Sequence, residues 1–304
     1  MSVQITTALV AQYRANAYHL LQQRGSKLRG YVRLESITGK NAFFDQIGAT
    51  SARIRTSRHS DTPRMDTPHA RRRVSLADYD WADLIDNEDK IRMLINPSSE
   101  YAQAAMWAMG RAIDDVIIDA VDATAYTGVD GSTSTSYDSN MTVGIQTVWP
   151  GVSAADTGLN LAKLIEAKKK LGTYNVDPDE DVYVAADAAQ ISSLLKDERV
   201  NNKDYQDGSA ALRSGKVGML AGCTIIPCNR LTTDSNSDYK VPYWTRSGLL
   251  LALGQDMTVR ISERADKNYA TQVFCSMTIG ATRMEENRVG YILCDPGASP
   301  TTDA

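Results

Sequence analysis

Between Asn96 and Tyr126 the apolar positions follow a helical period without a break. Tyr101, Ala105, Met109, Ala112, Ile113, Val116, Ala120 and Ala123 share one broad stripe with Ile117 at its border, while Gln103, Arg111, Asp114, Asp115 and Asp122 take the other face. Asn96 suits an N-cap, Pro97 suits the first helical position, where its missing N–H costs nothing, and Thr127-Gly128 supplies the stop. The spacing predicts one long helix over 96–126, about 45 Å at roughly 1.5 Å per residue, able to span a domain as a strut.

Around this helix the pattern changes repeatedly. Thr6 or Thr7 caps an amphipathic helix that ends near Arg24, with Leu9, Tyr13, Ala17 and Leu20 on one face. From Leu28 to Phe44 weak alternation, broken at Thr38-Gly39, predicts an extended arm. Beyond the long helix, the Ser-, Thr- and Gly-rich stretch 127–158 predicts a loop between modules. A compact module then follows: helix Leu159–Leu171, strand Asp181–Ala185, helix Ala188–Lys196, a polar loop through Gly215, and strands Thr224–Pro227 and Leu249–Leu253. Alternation at Met257, Val259 and Ile261, a turn at 265–268, and runs at Gln272–Met284 and Val289–Cys294 predict a three-stranded antiparallel meander facing the long helix, and residues 297–304 a loose tail.

The segment from Ala52 to Asp78 breaks the rule that every stretch contributes to a core. It has few large apolar residues, Thr-Pro turns at Pro63 and Pro68, and seven arginines: Arg53, Arg55, Arg58, Arg64, Arg71, Arg72 and Arg73. Ala52–Arg55 running out and Arg73–Leu76 running back predict a projecting two-stranded ribbon, which is marginal in water unless it lies on a surface. Immediately after it come Asp78, Asp80, Asp83, Asp86, Glu88 and Asp89 with no intervening base. A basic ribbon beside an acidic stretch is self-complementary between copies of one chain. Arg53, Arg55, Arg58, Arg71, Arg72 and Arg73 on one side, and Asp83, Asp86, Glu88 and Asp89 on the other, are therefore the candidate inter-subunit contacts. On this reading reversing Arg72 and Arg73 together leaves the subunit folded and disturbs assembly.

Composition narrows the remaining chemistry. A net charge of −4 argues against a protein built to grip nucleic-acid phosphates. No apolar run approaches the roughly 18 residues that cross a bilayer, and the N-terminus lacks the pattern of a secretory signal, so a cytosolic protein is expected. Cys223, Cys228, Cys275 and Cys294 match no redox or zinc spacing and read as buried free thiols. The three histidines, His19, His59 and His69, sit in none of the catalytic motifs sought, and Thr38-Gly39-Lys40-Asn41 has no glycine loop ahead of it to cradle phosphate. Asp177, Asp179 and Asp181 have calcium-loop spacing but lack the turn glycine and the closing glutamate, so solvated loop acids are expected. No cofactor, metal or catalytic residue is expected. A nucleic-acid-binding protein using the arginine-rich segment 53–73 is the competing reading; that segment has almost no aromatic residues to stack on bases.

Several strings resemble the major capsid proteins of tailed bacteriophages that share the HK97 fold: Phe43-Phe44-Asp45-Gln46-Ile47-Gly48, Thr56-Ser57-Arg58-His59, Asp61-Thr62-Pro63, Arg71-Arg72-Arg73-Val74 and Asp78-Tyr79-Asp80-Trp81-Ala82-Asp83. Val184-Ala185-Ala186-Asp187, Leu194-Leu195-Lys196-Asp197, the run from Gly218 to Pro227, and the Arg260–Tyr269 stretch ahead of Gly280 and Val289–Ile292 are similar too. The resemblance covers nearly the whole chain and implies an α+β HK97-like fold. Its parts would be an N-terminal arm over 1–51, an E-loop over 52–81, a P domain over 82–155 with the spine helix 96–126, an A domain over 156–254, and P-domain return strands with the tail over 255–304. It implies hexamers and pentamers forming an icosahedral shell around double-stranded DNA without sequence-specific binding, a virion location after assembly in a bacterial cytoplasm, and no membrane. A separate scaffolding protein, a portal and a decoration protein are the implied partners. The chain has no lysine between Asn41 and Asp89, so the lysine-to-asparagine crosslink of some relatives cannot start from this ribbon.

Overall fold

A computed structural model describes residues 22–59, 61, 62, 64–86, 98–150, 152, 155–197, 200 and 218–295. The predicted helix before Arg24, the Asn96-Pro97 cap, Glu88, Asp89, most of the polar loop before Gly215 and the tail lie outside these residues. In chain order the regular elements are β1 (Arg33–Ser36), β2 (Asn41–Ile47), β3 (His69–Ser75), β4 (Ala77–Ile85), α1 (Ser98–Asp122), β5 (Ala125–Thr127), β6 (Thr133–Thr135), α2 (Leu161–Thr173), β7 (Val182–Ala186), α3 (Ala188–Lys196), β8 (Met219–Leu220), β9 (Cys223–Pro227), β10 (Tyr239–Thr245), β11 (Leu249–Arg264), β12 (Ala270–Arg283) and β13 (Val289–Cys294).

The described residues fall into two compact units. The larger draws on 27–76, 114–253 and 280–295, the smaller on 22–26, 77–113 and 254–279. In the larger unit, five strands run in the order β13-β10-β7-β9-β8. β7 and β9 are parallel, and β10 is antiparallel to both β7 and β13. Met141, Leu159, Leu164, Val184, Leu194, Ile225, Val241, Tyr243 and Ile292 build its core. Asn160 caps α2 by accepting the amide of Lys163 at 2.8 Å.

Strand β10 was not legible in the sequence because it contains Pro242, which argues against a central strand. It is tolerated because Pro242 pairs with Tyr291 of β13 on one side, while β7 pairs only from Tyr243 onward. The expected C-terminal meander is likewise corrected. β11 and β12 neighbour each other in the order β1-β11-β12-β4, but β13 leaves them to pair with β10. A 3-10 turn at Glu286–Arg288 makes the change of sheet.

A second sheet of the larger unit, β2-β3-β5-β6, contains the ribbon. Its register runs from Asn41↔Ser75 to Ile47↔His69, so β3 takes its partner from 41–47 and not from Ala52–Arg55. β2 presents Ala42, Phe44 and Gln46 to the protein on alternate positions, whereas Ile54 is 84% exposed and gives 52–55 no face to bury. The expected arm over 28–44 is also part of the body: Leu28 and Val32 are buried, and β1 pairs in parallel with 250–253 of β11.

In the smaller unit β4 pairs antiparallel with β12 from Ala77↔Ile279 to Ile85↔Thr271. Helix α1 spans 25 residues, about 37 Å; it is shorter than predicted because Ala125–Thr127 is a strand. Its buried line is Ala105, Met109, Ile113, Ile117 and Val121 with Asp114 beside it, while Ala123 is exposed. Asp114 was expected on the solvent face. It is buried because its carboxylate accepts the amides of Lys27 and Leu28, each at 3.0 Å.

Candidate assembly interface

Strand alternation sorts the ribbon's arginines. Arg71 and Arg73 lie on one face of β3, and Arg72 on the other. On the first face Arg71 stands across from Asp45 and donates through Nε to its Oδ1 at 2.6 Å, while its guanidinium lies 5.7 Å from the centre of the Phe43 ring. Arg73 stands between Phe43 on β2 and Tyr126 on β5, 4.5 Å over the tyrosine ring. The hydrogen bond and charge of Arg71 hold the Asp45 carboxyl below its usual pKa. The close fit extends to Gly131 in the β5–β6 turn, where φ is +61° and a Cβ would lie 2.6 Å from the Arg73 side chain and 2.9 Å from the Phe43 ring.

Phe43, Ile47, Tyr126 and Val129 remain well exposed beside these cations. A surface hollow lined by Asp45, His69, Arg71, Thr127, Val129 and Thr133 lies among them. Farther out Arg53, Arg55 and Arg58 are exposed and belong to no strand; Arg55 Nε donates to the Ser57 carbonyl at 3.0 Å.

Arg72 is a correction. Its side chain is 3% exposed, Nε and Nη2 donate to the Met284 carbonyl at 3.1 and 2.7 Å, and Nη2 meets the Glu286 carboxylate at 2.8 Å. It is engaged within its own chain and does not lie on the outward face with Arg71 and Arg73, so the expected docking role does not fit its position. A three-residue Arg run gives no cue to which member faces inward until the partner strand is known.

The acidic stretch is mostly strand β4, an element the sequence reading missed. Exposed Asp78, Asp80, Ala82 and Leu84 alternate with half-buried Tyr79, Trp81 and Asp83. Thr278 Oγ1 donates to Asp78 at 2.7 Å, Asp83 Oδ1 accepts the Leu84 amide at 2.8 Å, and Asp86 is exposed just beyond the strand. β4 is an outer strand, and acids along it keep such an edge from pairing indiscriminately.

Among the described residues no group of three or more His, Cys, Asp and Glu could hold a metal. All four cysteines are free and buried, and burial pushes the Cys223 thiol up to about 11.

Comparison with solved structures defines the class. The capsid of the Ralstonia phage GP4 matches with a TM-score of 0.74 at 10% identity, covering 97% of each chain. That of the cyanophage P-SCSP1u matches with 0.73 at 19% identity, covering 94% of this chain and 93% of that one. The cyanophage Pam1 capsid gives 0.67 at 16% identity, over 97% and 98%. The fold is therefore a mixed α+β phage-capsid fold. The family model for phage capsid protein matches residues 5–296, and the chain belongs to that family. No curated protein matches the sequence. The protein is a major capsid protein, a structural subunit of a bacteriophage shell, and a nucleic-acid-binding role for 53–73 finds no support.

Proposed function

We propose that the shell is built from hexamers and pentamers of an HK97-like subunit, with 1–51 as N-terminal arm, 52–81 as E-loop, 82–155 and 255–304 as P domain, and 156–254 as A domain. The pairing of β2 with β3 supports moving the base of the E-loop back to Asn41. The outward face of this hairpin, with Arg71 and Arg73, and the exposed Arg53, Arg55 and Arg58 beyond it, dock on the acidic strand of a neighbouring copy through Asp83 and Asp86, with Glu88 and Asp89 continuing the stretch. The observation that carries this reading is the exposed cation–aromatic face, which complements the exposed face of β4, where Asp78 and Asp80 stand in line with Ala82 and Leu84. Assembly takes place in the bacterial cytoplasm with a separate scaffolding protein and a portal, and a decoration protein is a further partner. The enclosed double-stranded DNA is held without sequence-specific contacts, because a weakly acidic subunit does not clutch phosphates. The shell protein does no catalysis.

Reversing exposed charge tests the docking. Arg53→Glu with Arg71→Glu should give a folded subunit that yields few or misshapen particles by electron microscopy, with partial recovery on adding Asp83→Arg. Normal particles at normal yield from the double reversal would sink it. Mature particles boiled in detergent and reductant should run as one band near 33.2 kDa.

A further inference from the structure

Residues 283–286 form a junction that capsid membership does not explain. Arg283 is wholly buried, and its Nη1 donates to the carbonyls of Val121 and Ala123 at 2.9 and 2.6 Å, closing the C-terminal end of α1, where cations are favoured. Its Nη2 donates to the Thr135 carbonyl of β6 at 3.2 Å. The next residue, Met284, accepts at its carbonyl from both strands of the hairpin: Gln46 of β2 at 2.7 Å and Arg72 of β3. Glu286 then stands between the two arginines, 2.8 Å from Arg72 Nη2 and 3.8 Å from Arg283 Nε.

One carboxylate thus serves two buried guanidinium groups. Arg72 Nη1 and Arg283 Nε are buried with no hydrogen-bond partner, and so is Arg73 Nε on the adjacent residue. Buried donors left unpaired are costly and rare, so three of them in one junction call for an explanation. Here a second partner for the carboxylate stands 3.8 Å away at Arg283 Nε. A shift of the Glu286 side chain toward Arg283 would satisfy the free Nε and release Arg72 from the carboxylate, leaving the hairpin base tied to Met284 through its carbonyl and through the apolar cluster that Met284 forms with Val74, Ala42 and Phe44.

We infer that Glu286 is a conformational latch: engaged on Arg72 it fixes the hairpin base to residues 283–286, and transferred to Arg283 it lets the base move while the end of α1 stays closed. The two states use the same residues and differ in which arginine holds the carboxylate. Segments with two discrete arrangements are what allow a small local change to reorient a projecting element.

Hydrogen exchange on the unassembled subunit tests this independently of shell formation. In Glu286→Gln the backbone amides of 41–47 and 69–75 should exchange at least tenfold faster, while those of 118–122 keep their wild-type rates because Arg283 still holds the carbonyls there. Glu286→Asp keeps the charge but shortens the reach, should fold if the glutamine variant does not, and should show the same selective loosening. Gln46→Leu removes only the second tie to Met284 and should loosen the same amides less. Unchanged exchange in the hairpin of a folded Glu286 variant would overturn the latch, and so would an equal rise throughout the chain, which would make Glu286 a general stabiliser.

Discussion

Arg71 and Arg72 are consecutive on one strand, carry the same charge and have opposite fates. Arg71 faces water, pairs with Asp45 across the hairpin and touches the edge of an exposed aromatic surface. Arg72 is enclosed, spends its donors on a carbonyl and a carboxylate more than two hundred residues away in sequence, and belongs to the junction that also closes α1. The difference teaches that in this protein arginine has two separate tasks. On the outer face it is a solvated charge, paired with Asp45 and set against exposed rings. On the inner face it is a structural tie, whose loss leaves other polar groups buried and unpaired.

The largest effect expected from breaking this comparison is Arg72→Glu. A carboxylate would then face Glu286 and the Met284 carbonyl in an enclosed site, and denaturant unfolding should show a loss of about 3–5 kcal/mol or failure to fold. Arg71→Glu on the neighbouring residue loses only the exposed pair with Asp45, so it should lower the unfolding midpoint slightly and act mainly on particle yield. Equal destabilisation by both would erase the distinction between the two faces.

Arg283→Gln comes next. It leaves the carbonyls at the end of α1 short of donors, and a cost of about 3 kcal/mol is expected from that loss, accompanied by faster exchange of the last-turn amides. Asp114→Asn should follow, at about 1–2 kcal/mol, because a neutral amide accepts the Lys27 and Leu28 amides less strongly than a carboxylate does. An Asp114 variant as stable as wild type would show that the 26–28 turn is held by its other contacts.

The smallest effect concerns pH. The Asp45 carboxyl is held below its usual pKa by its hydrogen bond from Arg71 and by that residue's charge. Its contribution to stability is therefore present above the unfolded-state value of about 3.9 and is lost as pH falls through the lower folded-state value. NMR titration should find Asp45 below the ordinary range in wild type and back within it in Arg71→Gln. If its titration ignores Arg71, the outer pair is not formed in solution.

Much of the architecture is legible in the amino-acid sequence. Helical spacing located α1, α2 and α3 to within a few residues, alternation located β12 and the second half of β11, and the apolar setting of the cysteines announced buried thiols. These are local properties: a side chain's period along the chain is set by the backbone geometry of its own segment. The charge reversal between 53–73 and 78–89 was equally plain, and it singled out the hairpin and the edge strand as surfaces of interest.

What the chain alone could not decide was pairing. It offered 52–55 as the partner of β3 when 41–47 takes that place, it hid β10 behind Pro242, and it left β13 with strands that it abandons for another sheet. It also placed Asp114 in water and Arg72 on a docking surface. The physical reason is shared: burial of a polar side chain depends on partners distant in sequence, such as the Lys27 and Leu28 amides for Asp114, or Met284 and Glu286 for Arg72. Local pattern fixes which faces an element has. Only the tertiary structure, by bringing remote donors and acceptors within about 3 Å, decides which of those faces turns inward.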